Sequence, residues 1–248
     1  MQEVCWGSIG CGDVMEIKSG PALQQVDHSS LVAVMRRNAS AAQDFAERHQ
    51  VPKWYDQAEN LINDGNVNAI YIATPPDTHL HYTKLAAQAG KPIYVEKPMA
   101  NSYAQCQEMI QVCQDYHVPL FVAYYRRALP RFLKIKSIID SGQLGTITKV
   151  NVQLLYKAKS VDIDGRDNWR VDPEIAGCGY FCDLGSHIMD LLQFFLGDIS
   201  SASGQVSNTG GYYQAEDRME SQFEFNQGVS GQGFWDFNAA KDLDLTEI

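Results

Sequence analysis

Apolar positions in the first half of the chain fall into short unbroken runs, separated by longer stretches with helical spacing. Val4–Ile9 is a run of the buried-strand type, stopped by Gly10-Cys11-Gly12. Residues 30–35, 69–73, 92–95 and 119–123 repeat that pattern. Between them, residues 39–49, 56–63, 79–89 and 102–116 carry apolar side chains at helical intervals, and Gly90 ends the third of these stretches. Short buried strands alternating with helices predict an α/β fold, a doubly wound parallel sheet of the Rossmann type.

Past residue 123 the pattern changes. Residues 130–141 read as a helix ending at Gly142, and 147–156 alternate like a strand. Residues 180–196 read as one long apolar-rich helix ending at Gly197. Residues 218–225 and 229–237 alternate around Asn226-Gln227-Gly228, the signature of a hairpin. The expected organisation is a Rossmann domain over 1–123 and an α+β domain over 124–248 with a mainly antiparallel open sheet. The terminal stretch Asp242-Leu243-Asp244-Leu245-Thr246-Glu247-Ile248 alternates with no turn or helix stop after it. A strand ending in mid-pattern leaves backbone groups without neighbours, so the second sheet reads as truncated.

Composition narrows the function. Hydrophobic residues make up 45% and charged residues 20% of the 248, an ordinary globular balance. The net charge of −10 argues against a nucleic-acid groove, which needs clustered Lys and Arg, and favours a small-molecule substrate. No apolar run has membrane-span length and no basic leader precedes a hydrophobic stretch, so the reading is cytoplasmic, without a membrane. The six cysteines are scattered; Cys178 and Cys182 lie four apart without a CxxC or Cys/His cluster. They read as reduced thiols, and no metal is assigned.

The first chemical motif is Gly10-Cys11-Gly12-Asp13-Val14-Met15, a G-x-G after the first strand with Met15 where a third small residue is usual. Gly10 allows the tight turn and Gly12 lets backbone approach a pyrophosphate. Met15 suggests looser helix–strand packing. The second strand ends in Arg36-Arg37 rather than in the acid that would hold the ribose hydroxyl of NAD. Guanidinium pairs with phosphate, so NADP is preferred over NAD; a solvated basic turn is the alternative.

Thr74-Pro75-Pro76 with His79, Val95-Glu96-Lys97-Pro98, and Gly179-Tyr180-Phe181-Cys182-Asp183-Leu184-Gly185-Ser186-His187 complete the set. With Gly10-Cys11-Gly12 they resemble the Gfo/Idh/MocA oxidoreductase family, which includes glucose–fructose oxidoreductase, inositol dehydrogenase and dihydrodiol or sugar dehydrogenases. The resemblance implies cofactor contacts at Gly10, Cys11, Gly12, Asp13, Val14, Arg36, Arg37, Thr74, Pro75, Pro76, His79, Glu96 and Lys97. It implies that Lys97 lies beside nicotinamide and substrate, that the second domain supplies Asp183 and His187, and that the Lys97–Pro98 peptide is cis. It also implies a homo-oligomer through the second sheet, and a full-length chain several dozen residues longer.

The chemistry is coherent. Oxidising an alcohol needs a base for the hydroxyl proton, a role that His187 suits and that Lys97 assists by polarising the oxygen. Asp183 and His187 lie at i and i+4, on one helical face. A surface Asp–His pair is the alternative, but Leu191-Leu192 and Phe194-Phe195-Leu196 argue for a buried helix. Substrate contacts are expected at Tyr124, Arg126, Trp169, Arg170 and Asp183. Tyr124-Tyr125-Arg126-Arg127 equally suits an aromatic hinge, Trp169-Arg170 an exposed stack, and His79 a cap on its own helix. The leading function is an NADP-dependent dehydrogenase or reductase of a sugar, polyol or diol. An NAD-dependent glycosidase using transient redox and a non-catalytic nucleotide sensor are the alternatives.

Overall fold

Six parallel strands form the first sheet in the computed structural model, which describes residues 3–248. They are β1 (Val4–Ile9), β2 (Ser29–Met35), β3 (Lys53–Tyr55), β4 (Ala69–Ile72), β5 (Ile93–Val95) and β6 (Leu120–Val122), in the order β3-β2-β1-β4-β5-β6. The helices are α1 (Asp13–Ile17), α2 (Ser19–Gln25), α3 (Ala39–Arg48), α4 (Ala58–Ile62), α5 (His79–Gln88) and α6 (Tyr103–Asp115). Every residue of β4 is buried, and alternation sends Ile70 and Ile72 into the core on one face and Tyr71 into the core on the other. Asn38 starts α3 by accepting from Ala41 N at 3.1 Å, and Ser102 starts α6 by accepting from Gln105 N at 3.3 Å.

Two local features depart from the pattern reading. Strand β3 has only three residues, two of them exposed, so it is too short to show a buried-strand run. The helix after Gly12 is broken at Lys18 into α1 and α2. Met15 does not loosen the packing: its side chain is fully buried among Leu31, Val34, Phe45 and Tyr71.

The chain divides into two units at Ala123 and Tyr124. The second contains α7 (Pro130–Asp140), β7 (Lys149–Leu155), the short helices α8 (Ser160–Ile163) and α9 (Pro173–Ala176), and α10 (Ser186–Leu196). It ends with β8 (Ile199–Ser207), β9 (Arg218–Phe225), β10 (Ser230–Asp236) and β11 (Leu243–Glu247). The sheet runs β11-β7-β10-β9-β8, and only β7 and β10 pair in parallel. It is therefore mixed. Residues 180–196 are not one uniform α-helix, because Phe181–Gly185 forms a π turn ahead of α10.

One face of this sheet packs on α10. Val150, Val152 and Leu154 of β7, Phe223 and Phe225 of β9 and Trp235 of β10 meet Ile188, Leu191, Leu192, Phe195 and Leu196. Burying those five helical side chains contributes on the order of 10 kcal/mol of transfer free energy, offset by the entropy of ordering them. Gly231 and Gly233 make room for the aromatic rings: an added Cβ would lie 2.0 Å from the Phe223 ring at the first and 2.0 Å from the Trp235 ring at the second. Strand β8 is exposed along almost its whole length, and its Ser- and Gly-rich sequence gave no strand pattern; pairing with β9 holds it. Among the described residues no helix is long and apolar enough to cross a membrane.

Candidate active site

The first unit gathers its candidate residues at the carboxyl ends of neighbouring strands. Gly10-Cys11-Gly12 follows β1, Arg36-Arg37 follows β2, Thr74-Pro75-Pro76 follows β4, and Glu96-Lys97 follows β5. Strand order reverses between β1 and β4, and this is where open parallel sheets bind ligands. Gly10 has φ +94, and a Cβ there would sit 2.7 Å from the Ala73 carbonyl oxygen, so only glycine lets the ends of β1 and β4 approach. At Gly12, which starts α1, an added Cβ meets nothing within 4 Å, so the loop leaves open space beside Asp13 and Val14. Burial pushes the Cys11 thiol up to about 11, so it stays protonated, with the Arg36 charge pulling the other way. Arg36 and Arg37 are exposed, and Arg36 N donates to Tyr55 O at 3.1 Å, fixing the turn.

The loops after β4 and β5 are tied together from behind. His79 has no exposed surface; its Nε2 lies 2.8 Å from Thr74 O, and its Nδ1 lies 3.2 Å from Pro98 O and 3.1 Å from Met99 O. Burial holds its ring below the ordinary histidine pKa. His79 thus supports the two loops from inside instead of presenting a surface to a ligand. The Lys97–Pro98 peptide is cis, as the resemblance implied. Glu96 accepts from Tyr71 Oη with one carboxylate oxygen and from Lys97 N at 3.2 Å with the other.

The second unit gathers two further groups. Asp183 sits in the π turn and pairs with Arg170, Nε to Oδ2 at 3.4 Å, while the Arg170 guanidinium lies 4.6 Å from the Trp169 ring centroid. His187, in the first turn of α10, is 5% exposed, with the rings of Tyr124 and Tyr125 edge-on at 5.9 and 5.6 Å. Arg126 keeps a buried Nε with no hydrogen-bond partner among the described residues. That is a donor in want of an acceptor. Beside them, Lys159 Nζ lies 3.8 Å from the Tyr180 ring centroid. Burial lowers the pKa of Lys159 against the pull of Asp183 and Asp162. Buried Asp162 accepts from Tyr180 Oη and Asn168 Nδ2, each at 2.7 Å.

Cys178 and Cys182 are joined in a disulfide, which corrects the expectation of reduced thiols. Spacing alone carried no signal, but the bend through Gly177 and Gly179 brings the two Cα atoms to 5.8 Å, within bridging range. Sequence reasoning also missed Ser19, Tyr71, Lys159 and Asp190, and it named Arg127 only as part of an aromatic hinge segment. Tyr71 had one available signal, a hydroxyl in the middle of an otherwise apolar buried strand.

Residues 4–124 match the oxidoreductase family with an NAD-binding Rossmann fold, GFO_IDH_MocA, and residues 132–248 match the GFO/IDH/MocA C-terminal domain. The chain is 40% identical over 250 residues to oxidoreductase P35 of Formosa agariphila, covering 98% of this chain and 75% of that protein. It is 26% identical over 212 residues to the NADP(+) D-xylose 1-dehydrogenase 2 of Haloferax volcanii, covering 86% of this chain and 63% of that one. A solved levoglucosan dehydrogenase, in complex with NADH and levoglucosan, superposes with TM-score 0.87 at 23% identity, over 99% of this chain and 70% of that one. That likeness shows the shared fold. Matched by the family's two domains in succession along nearly its whole length, the chain belongs to the Gfo/Idh/MocA oxidoreductase family.

Proposed function

We propose that this chain carries an NADP-linked oxidoreductase activity, moving hydride between the nicotinamide and a carbinol carbon of a sugar, polyol or related small molecule. The observation that carries the reading is the row of loops at the ends of β2, β1, β4 and β5, with Arg36-Arg37 at one end and Lys97 at the other. Gly10, Gly12, Asp13 and Val14 would receive the pyrophosphate, and Arg36-Arg37 the 2′-phosphate. The Haloferax relative is named for NADP(+), and the levoglucosan dehydrogenase complex holds NADH, so relatives alone do not choose the cofactor. The arginines do.

The nicotinamide supplies the hydride acceptor or donor. The remaining work falls to side chains. His187 takes the hydroxyl proton at a ring nitrogen during oxidation and returns it during reduction. Lys97 Nζ hydrogen-bonds the same oxygen and stabilises the negative charge that develops there. Asp183, held by Arg170, orients the substrate or the imidazole. Arg126 offers its unpaired donor to a polar substrate group, and Trp169 and Tyr124 offer aromatic faces to the carbon skeleton.

The test is a cofactor-reduction screen with NADP and NAD separately, against aldoses, polyols and diols. Turnover of at least one hydroxylated substrate with NADP is the expected result. Cleavage of a glycoside with no net change in cofactor would replace this reading with a redox-assisted glycosidase.

A further inference from the structure

Three polar side chains of the first unit, Ser19, Tyr71 and Glu96, form one track around the buried Tyr71 hydroxyl. Ser19, the first residue of α2, places Oγ 3.2 Å from the Val14 carbonyl oxygen and 3.0 Å from Tyr71 Oη. Tyr71 Oη donates to Glu96, and the other Glu96 oxygen accepts from Lys97 N at 3.2 Å. Val14 belongs to the helix that opens at Gly12, and Lys97 follows directly on Glu96. The track therefore runs from the loop that opens α1, through β4, to the backbone of the lysine.

Tyr71 is the middle of that track and lies wholly out of water, on the strand between β1 and β5. Its ring stacks on Tyr94 with centroids 5.4 Å apart. Phenylalanine would fill the same volume. A buried hydroxyl costs free energy unless it is bonded, and here it faces a carboxylate and a serine rather than core. Burial, then the adjacent Glu96 charge, push the phenol far above its ordinary pKa, so Tyr71 remains a donor throughout the physiological range. The break at Lys18 is what allows this geometry, because it starts a new helix with Ser19 facing the strand.

We propose that Tyr71 is a positioning residue, which through Glu96 and Ser19 fixes the Lys97 backbone relative to the Gly12–Val14 loop, so that dinucleotide binding and lysine placement are coupled. This rests on the reading of Lys97 as a group that acts on the reacting oxygen. Coupling of this kind passes through a continuous bonded chain, and removing one link should sever it.

The experiment uses the full chain with Tyr71→Phe, and Ser19→Ala as a second break in case the first fails to fold. The labelling rate of the Lys97 amine with an amine-reactive reagent is followed by mass spectrometry, with and without NADP. In the wild type NADP should change that rate; in both variants the change should shrink by about threefold or more. Where a substrate is turned over, kcat should fall about tenfold while the NADP Kd stays within about twofold. Glu96→Gln combined with Tyr71→Phe should lose no more than the worse single variant, because both cut one bond. Unaltered labelling and kcat, with only the melting temperature lowered, would show that Tyr71 is core filling and overturn the proposal. A wild type with no turnover on any substrate would sink the proposed function, and the labelling arm would still decide the coupling.

Discussion

Arg127 grips Asp190 through both carboxylate oxygens: its Nε lies 2.9 Å from each, and its Nη2 lies 2.5 Å from Oδ1. Asp190 follows His187 by one turn on α10, and Arg127 belongs to the Tyr125–Ala128 turn whose Tyr125 ring meets the His187 imidazole. The clamp thus holds the aromatic walls of His187 in place. The Asp190 side chain is 8% exposed and that of Arg127 46%.

Removing the guanidinium strands a buried carboxylate. Arg127→Met should destabilise the protein by about 2 kcal/mol in urea unfolding, less than a fully buried pair because the arginine remains half in water. Asp190→Asn, which leaves only the half-exposed Arg127 charge without its partner, should cost less. Equal stability in wild type and Arg127→Met would show that the clamp contributes nothing.

Cofactor choice is tested at the end of β2. Arg36→Asp should weaken NADP by about 10- to 100-fold and improve NAD relative to it, since a charge-assisted pair is lost and a repulsion introduced. Fluorescence titration with each dinucleotide measures both. A wild type that prefers NAD contradicts the reading of Arg36-Arg37.

Lys97→Met and His187→Ala should each lower kcat by about two orders of magnitude while NADP affinity survives, the scale expected for a group that handles a proton in the transition state. Steady-state kinetics beside the same dinucleotide titration separates the two effects. Full turnover in either variant moves the chemistry elsewhere.

Glu16 supplies the pH test. Its carboxyl is held at about 2, against an ordinary 4.5, first by hydrogen bonding to Arg48 and also by His49. A depressed carboxylate pKa stabilises the fold above the unfolded value and loses that contribution as pH falls through the folded one. Glu16→Gln should therefore be less stable than wild type at neutral pH, with the gap closing as pH falls from the ordinary carboxylate range to below about 2 and narrowing in high salt. A gap that persists at low pH would mean that the side chain acts through packing.

Reducing the Cys178–Cys182 disulfide opens only a short loop, worth about 2 kcal/mol by chain entropy. Calorimetry with and without a dithiol reductant should show the transition falling by a few degrees, and Cys178→Ser should abolish the sensitivity. A reductant-insensitive wild type would mean that the bridge contributes no stability.

The sequence was readable wherever chemistry and pattern coincide. Val4–Ile9 with its G-x-G and the Glu96-Lys97-Pro98 turn announce themselves because backbone constraint limits which residues can stand there. Strand β8 was not readable, since an exposed edge strand needs no apolar alternation when its partner supplies the hydrogen bonds. The bridge at Cys178 was hidden for another reason: distance in space depends on a bend that spacing does not encode. Tyr71 and Asp190 were hidden because their partners lie far off in sequence, at Glu96 and Arg127.

Strand β10 has a lopsided latitude for change. At Gly231 and Gly233 even a methyl group would run into an aromatic ring, so those positions cannot drift unless Phe223 or Trp235 shrinks at the same step. On the other face, Gln153, Gln222, Gln232 and Glu224 point into open surroundings. Mutational divergence in this half of the chain should accumulate there, one residue at a time, while the inward face changes only in linked pairs. A partner-recognition surface could be rewritten on that outer face without disturbing the packing beneath α10.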